Sequence, residues 1–218
     1  MEHITIGYTH RNLPIEVYQW EGEKPHVLVI GGVHGDESEG VVAAYGLIGE
    51  CIPRVTVIPT LNLDGVIAGE RKNAAGVDLN RNMPTKDWTA EITEERYCPG
   101  THPNSEPETQ ALINYISEAK PTLIISIHSW KNPCINVNGS CQEEAQAAKN
   151  LVGYDIRDSI GYPTPGCLGT YYGLERDIPT ITYEIERGLD HKTVLETHLP
   201  ALKAMITTKN NKELCTKI

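Results

Sequence analysis

Phenylalanine is absent from the chain and aromatic residues make up only 6% of it, so Leu, Ile and Val must fill most of any core. Long apolar runs are missing as well: none reaches the roughly 18 residues that a membrane-spanning helix requires. The start, Met1-Glu2-His3-Ile4-Thr5, has neither the basic opening nor the apolar core of a secretory signal. The six cysteines, at 51, 98, 134, 141, 167 and 215, include no CxxC pair and read as ordinary buried or surface thiols. These absences make the cytoplasm the expected compartment and argue against a membrane partner. Positive charge is scarce too. The net charge of -10 argues against nucleic-acid binding, which depends on clustered cations meeting phosphates. An anionic ligand remains allowed, because one buried Arg outweighs distant surface carboxylates. Gly and Pro stand near average usage, which excludes a collagen-like or disordered chain. At 218 residues the expectation is one domain, residues 1–218, large enough to bury a proper core.

Short strands are expected over Ile4 to Thr9 and Pro14 to Trp20, joined by a turn at His10-Arg11-Asn12. His26 to Ile30 reads as a buried strand, Ser38 to Gly49 as a helix and Arg54 to Thr60 as a β-branched strand. Asn62 to Gly100 is turn-rich with few periodic apolar positions, and loops of that length are usually functional. Ser105-Glu106-Pro107-Glu108 has the pattern of a capping box and predicts a helix to about Ala119. Thr122 to Ile127 predicts a second buried strand ending at His128. Gln142 to Ile160 has helical period, Pro179 to Ile185 is strand-like, and Leu189 to Lys209 reads as a closing helix. Strands alternating with helices predict an α/β fold: a mixed, mostly parallel central sheet with helices on both faces. In such sheets ligands bind at the carboxyl ends of the strands, where His34 and His128 fall. The site is expected at one edge of the sheet.

His34 and Glu37, in Gly31-Gly32-Val33-His34-Gly35-Asp36-Glu37, stand three residues apart just after the first buried strand. Glycines permit the turn that lets both reach one point. A loop histidine and a helix-first-turn glutamate, favoured there by the helix dipole, give the same local pattern. His128, ending Leu123-Ile124-Ile125-Ser126-Ile127, is by itself equally a satisfied core histidine. Two strand-end histidines plus a carboxylate, however, are what a three-ligand zinc site with an open position requires. Asp78-Leu79-Asn80-Arg81-Asn82 is either a solvated turn or a carboxylate clamp, a guanidinium beside an amide. Arg71 is either a surface cation or a positive group for an oxyanion. Glu184 is a carboxylate inside the apolar strand Ile181-Thr182-Tyr183-Glu184-Ile185, and a buried unpaired charge is costly, so it should face a cleft or a metal. Glu186 points the same way and is its rival. Tyr162, in the turn-rich Gly161-Tyr162-Pro163-Thr164-Pro165-Gly166, is either an exposed loop residue or part of a moving lid.

His34-x-x-Glu37, the Asp78–Asn82 block, Ser105-Glu106-Pro107-Glu108-Thr109 and Ile127-His128-Ser129 occur in the order seen in zinc metallocarboxypeptidases, and the chain resembles that family from His26 to about Arg187. The resemblance implies one zinc per chain on His34, Glu37 and His128. It implies Arg71 steadying the oxyanion, Asn80 and Arg81 holding the substrate carboxylate, Tyr162 closing over it, and Glu184 as the base. The short length and the Gly161–Gly166 segment look most like the family's cell-wall branch, which cuts the γ-D-glutamyl–diaminopimelate bond of murein tripeptide, a small peptide. Gly169-Thr170-Tyr171-Tyr172 falls where the family builds its side-chain pocket, so hydroxyls of Thr170, Tyr171 and Tyr172 are expected there. Two rivals stand beside this reading. One is an N-acyl amino acid deacylase of the aspartoacylase or succinylglutamate desuccinylase kind, which shares a similar His-Gly-x-Glu start. The other is a non-catalytic module that binds peptidoglycan fragments, disfavoured by the intact His34, Glu37, His128 and Glu184.

Overall fold

β-Branched runs that are buried on both faces belong in the middle of a parallel sheet, and Val27–Ile30, Val55–Ile58 and Leu123–Trp130 all lie there. The computed structural model describes residues 1–20 and 27–215. Strands β1 (Glu2–Tyr8), β2 (Pro14–Gln19), β3 (Val27–Ile30), β4 (Val55–Ile58), β5 (Leu123–Trp130), β6 (Cys134–Asn138), β7 (Ile156–Arg157) and β8 (Thr180–Glu186) form one sheet in the order β1-β2-β4-β3-β5-β8-β6-β7. β4, β3, β5 and β8 are parallel neighbours. The β1–β2 hairpin and the β6–β7 pair flank them in the opposite sense where they join, β2 antiparallel to β4 and β6 antiparallel to β8. This is a single α/β domain with a mixed sheet.

Strand alternation sorts the two layers. Val27, Val29, Ile125, Ile127, Ile181 and Tyr183 pack under α1 (Ser38–Gly49), α4 (Gln142–Val152) and α5 (His191–Cys215). Leu28, Ile30, Ile58 and Ile124 face α3 (Pro107–Ala119) on the other side. The second face is where Ser126, His128, Thr182 and Glu184 must also point, because they sit at the alternate positions of β5 and β8. Among the described residues no helix is long and apolar enough to cross a membrane.

Several elements differ from the sequence expectations. The strand expected from His26 begins at Val27 among the described residues; His26 lies outside them. β5 runs on to Trp130, so His128 sits inside the strand and not at its end. The stretch 62–100 contains a short helix, α2 (Leu63–Ala68), opened by the Asn62 side chain accepting from Gly65 N and closed by Gly69 at φ 68°. It is too short for a periodic signal. The helix expected to reach Ile160 stops at Gly153, whose left-handed φ of 75° ends α4. β6 and β7 were not anticipated.

The capping box is not formed, although its helix is. Glu106 occupies the cap position with no side-chain cap bond. Ser105 Oγ instead donates to Glu106 Oε1 at 2.5 Å, and Asn73 Nδ2 donates to Glu106 Oε2 (2.8 Å) and Glu108 Oε2 (3.1 Å). His10 Nε2 meets Glu106 Oε2 at 2.7 Å. The block therefore fastens the β1–β2 turn and the 73–82 loop to the start of α3.

His198, on α5, is 1% exposed, and burial pushes its pKa down to about 4. Its Nδ1 meets Tyr183 Oη at 2.8 Å, while Nε2 is buried without a hydrogen-bond partner among the described residues. The unfolded chain therefore binds this proton more readily than the native state between about pH 6.5 and 4. Stability is expected to fall across that window as pH drops, by up to about 3 kcal/mol from this group. Chemical denaturation at pH 7 and pH 4 checks it, with His198→Asn removing that part of the loss.

Candidate active site

The turn after β3 brings His34 and Glu37 back toward one point. Gly32 takes φ 57°, and Gly35 packs so closely on Gly65 that a Cβ would stand 2.0 Å from its carbonyl carbon. Glu37 sits at the cap position of α1 but makes no cap bond. Its carboxylate turns inward: Oε1 lies 2.9 Å from His34 Nδ1 and Oε2 lies 2.9 Å from His128 Nδ1. The two Nδ1 atoms are 3.1 Å apart. All three side chains are buried.

The other nitrogen of each ring is already engaged. His34 Nε2 lies 3.0 Å from Asp78 Oδ1, and His128 Nε2 lies 3.0 Å from Ser126 Oγ. A proton held on each Nε2 leaves both Nδ1 lone pairs aimed at the common point. Two imidazole lone pairs and a carboxylate facing one another call for a cation between them. Tetrahedral zinc, with bonds of roughly 2.0–2.1 Å, sets neighbouring donors about 3.3 Å apart, close to the separations found. The donor set thus fits zinc in chemistry and in spacing. Burial favours the neutral form of Glu37, yet the His34 and His128 rings outweigh it and hold its pKa well below the usual range. For His34, burial and Arg71 push downward, and Glu37 with Asp78 outweigh them to raise it.

Register places Glu184 directly opposite His128 across the β5–β8 ladder. Burial pushes its carboxyl up to about 7, against the pull of the His128 ring, with Glu37 adding to the rise. It lines a cavity of about 520 Å³ together with His34, Glu37, His128, Arg71 and Tyr162. Glu186 is exposed at the strand end and lies outside that lining. The cavity opens at the carboxyl ends of β3, β5 and β8, which are central strands. The expected placement at a sheet edge is corrected accordingly, because β6 and β7 extend the sheet beyond β8.

Arg71 is not a free surface cation. Its Nε and Nη2 donate to Asp78 Oδ2 at 3.0 and 2.9 Å, and Nη1 donates to Glu37 Oε1 at 3.3 Å. Asn80 and Arg81 lie on a 3-10 turn, Leu79–Arg81, held by Asp78 Oδ1 accepting from Asn80 N. Asn80 Oδ1 accepts from Leu168 N at 2.9 Å, and its amide NH2 has no hydrogen-bond partner among the described residues. Arg81 is 4% exposed, donates to Asn80 O at 2.8 Å and has no carboxylate partner among the described residues. Tyr162 stacks on Tyr97 and meets Trp130 edge-on, each at 6.2 Å.

Tyr171 and Tyr172 do not supply hydroxyls to the cavity. Both rings are buried in the core beside α3, and only Thr170 of that segment lines it. Asn136, Asn138 and Thr182 provide polar groups in their place. The sequence reading missed Asp78 and Ser126 as partners of the histidines, and Tyr97, Trp130 and Arg96 as cavity walls. The acidic residue opening Asp78-Leu79-Asn80-Arg81 was the one visible signal among these.

A family model described as zinc carboxypeptidase matches residues 1–152. Murein peptide amidase A of Vibrio campbellii is 32% identical over 195 residues, covering 82% of this chain and 76% of that protein. Murein peptide amidase A of Escherichia coli K12 is 34% identical over 158 residues, 66% of this chain and 64% of its own length. The crystal structure of murein-tripeptide amidase from Escherichia coli O157 matches with a TM-score of 0.79 at 26% identity, over 96% of this chain and 92% of that one. Bovine thrombin-activatable fibrinolysis inhibitor shares the fold, with a TM-score of 0.81 at 20% identity over 97% of this chain and 90% of that one. The chain belongs to the zinc carboxypeptidase family of hydrolases.

Proposed function

We propose that this chain is a zinc-dependent amidase that cleaves an amide bond next to a free carboxylate, with the γ-D-Glu–diaminopimelate bond of murein tripeptide as its substrate. The reading includes one zinc per chain on His34, Glu37 and His128, a single catalytic domain over residues 1–218, and a cytoplasmic site of action in cell-wall peptide recycling. The observation that carries it is the convergence of those three donors beside buried Glu184, in a cavity that also holds Arg81, which has no carboxylate partner among the described residues. The choice of substrate leans on the relatives, whose names specify murein peptides.

Zinc, when bound, supplies a Lewis acid that polarises the carbonyl and lowers the pKa of water toward about 7. The protein's own groups do the rest. Arg81 and the Asn80 amide hold the carboxylate beside the scissile bond, and Tyr162 closes over it. Glu184 takes the proton of the attacking water and delivers it to the leaving amine. Arg71, its charge partly spent on Asp78 and Glu37, adds its guanidinium to the developing oxyanion.

Mass spectrometry of products tests the substrate. Murein tripeptide is expected to be cleaved at its last amide faster than α-linked peptides ending in Leu, Phe, Lys or Glu, and faster than N-acyl amino acids. A faster α-linked peptide makes the protein a general carboxypeptidase; a faster acyl-amino acid makes it a deacylase.

Arg81→Ala is expected to lower kcat/KM on the free-carboxylate substrate by one to two decades, because charge-assisted hydrogen bonds are worth roughly 1.5–3 kcal/mol. A substrate amidated at that carboxylate should be poor with the unmutated protein and little changed by the substitution. Equal losses on both substrates reject the clamp.

A further inference from the structure

The chain carries a net charge of -10, yet five cations line this one cavity: Arg71, Arg81, Arg96, Lys131 and Arg187. Two of them are already paired. Arg71 is bound by Asp78 and Glu37, and Arg187 donates to Asp36 Oδ2 at 2.6 Å. Arg81 answers the carboxylate beside the scissile bond. Arg96 and Lys131 then remain, neither with a carboxylate partner among the described residues.

Arg96 is the better placed of the two. It lies on the 3-10 turn Glu95–Tyr97, with its guanidinium carbon 5.1 Å from the centroid of the Tyr97 ring. The same ring receives Arg81 at 4.8 Å and Arg71 at 5.4 Å. Three guanidiniums on one aromatic ring each gain a cation–π contact but repel one another. Asp78 and Glu37 already answer Arg71, and one substrate carboxylate answers Arg81, which leaves Arg96 as the guanidinium on this ring without a counter-charge. Arg96 and Lys131 are both exposed, but Lys131, just past the end of β5, has no such aromatic support. A flat guanidinium steadied on a ring loses less freedom on meeting a carboxylate than a free lysine does.

We infer that Arg96 binds a second carboxylate of the substrate, separate from the one at Arg81. This deepens the proposed function and rests on it. Murein tripeptide offers two sources beyond the carboxylate beside the scissile bond. One is at the far end of diaminopimelate; the other is the α-carboxylate that a γ-linked D-Glu leaves free. Their chemistry is shared, and selective amidation separates them.

The test measures kcat and KM for the unmutated protein, Arg96→Gln and Lys131→Gln on three peptides: the free tripeptide, the tripeptide amidated at the far diaminopimelate carboxylate, and the tripeptide amidated at the D-Glu α-carboxylate. Arg96→Gln is expected to lose roughly ten- to hundredfold in kcat/KM on the free peptide, mostly through KM. One amidated peptide should already be that poor with the unmutated protein and insensitive to Arg96→Gln, which identifies the carboxylate. Loss equal on all three peptides, no loss on any, or the charge-dependent loss appearing in Lys131→Gln in place of Arg96→Gln overturns the assignment. Calorimetric binding of the same peptides to Glu184→Gln, with and without Arg96→Gln, keeps the two readings apart. Absence of turnover by the unmutated protein removes the proposed function. Binding that ignores Arg96→Gln, with turnover intact, removes only the role of Arg96.

Discussion

Glu184→Gln is expected to keep its zinc and lose about 100- to 10,000-fold in kcat, the usual contribution of a positioned general acid–base group. Gln has nearly the same shape, so the packing of β8 should survive, but it cannot accept the water's proton. Glu184 stands apart from the donor set of His34, Glu37 and His128, so metal content has no reason to change. Its position explains why it suits the task. A carboxylate of ordinary pKa is a weaker base and a poorer proton carrier, because efficiency rises as the pKa nears the operating pH. Burial lifts this one, in the metal-free site, to about 7, so the pocket raises its basicity above that of an exposed carboxylate. Rate assays and metal analysis on the same preparation check the two halves. A fall of less than about tenfold moves the role to Glu186, which the cavity does not include.

What was legible in the sequence follows the range of the interactions concerned. The central strands could be read because burial on both faces demands continuous apolar, β-branched runs, as in Val27–Ile30 and Val55–Ile58. β6 was hidden because Cys134–Asn138 carries Asn136 and Asn138, which are rare in strands. Both asparagines line the cavity, so the polar character that disguised the strand belongs to the site. His34 and Glu37 were visible through a local spacing just after a strand. Asp78 and Ser126 were not, because the His34–Asp78 bond joins residues 44 apart and Ser126 becomes a partner of His128 only when the strand is laid down. Ser105-Glu106-Pro107-Glu108 showed the opposite failure. Its spacing satisfied a local rule, but Asn73 and His10, brought in by tertiary structure, compete successfully for its carboxylates. Tyr171 and Tyr172 were misassigned because the sequence of a short turn does not say which way a ring points. Tyr97 and Arg96 lie in a stretch with no periodicity at all.

His128→Ala is expected to reduce bound zinc from about one per chain to a small fraction, and activity with it. His128 closes the donor triangle, with its Nδ1 at 3.1 Å from that of His34 and 2.9 Å from Glu37. Its removal leaves one imidazole and one carboxylate, and Glu37 loses one of the two rings that hold its pKa down. The remaining carboxylate also stays tied to Arg71, whose Nη1 donates to Glu37 Oε1 and competes with a metal for that lone pair. The substitution opens a small void at a buried position of β5, so circular dichroism should accompany the zinc measurement. Ser126→Ala supplies a graded companion that leaves the ligand itself in place. It removes only the oxygen 3.0 Å from His128 Nε2, and loss of such an outer partner typically weakens metal binding by about 10- to 100-fold. Zinc affinity should therefore fall in the order unmutated, Ser126→Ala, His128→Ala. Stoichiometric zinc retained by a folded His128→Ala protein sinks the ligand assignment. If that variant does not fold, unchanged affinity in Ser126→Ala counts against it instead.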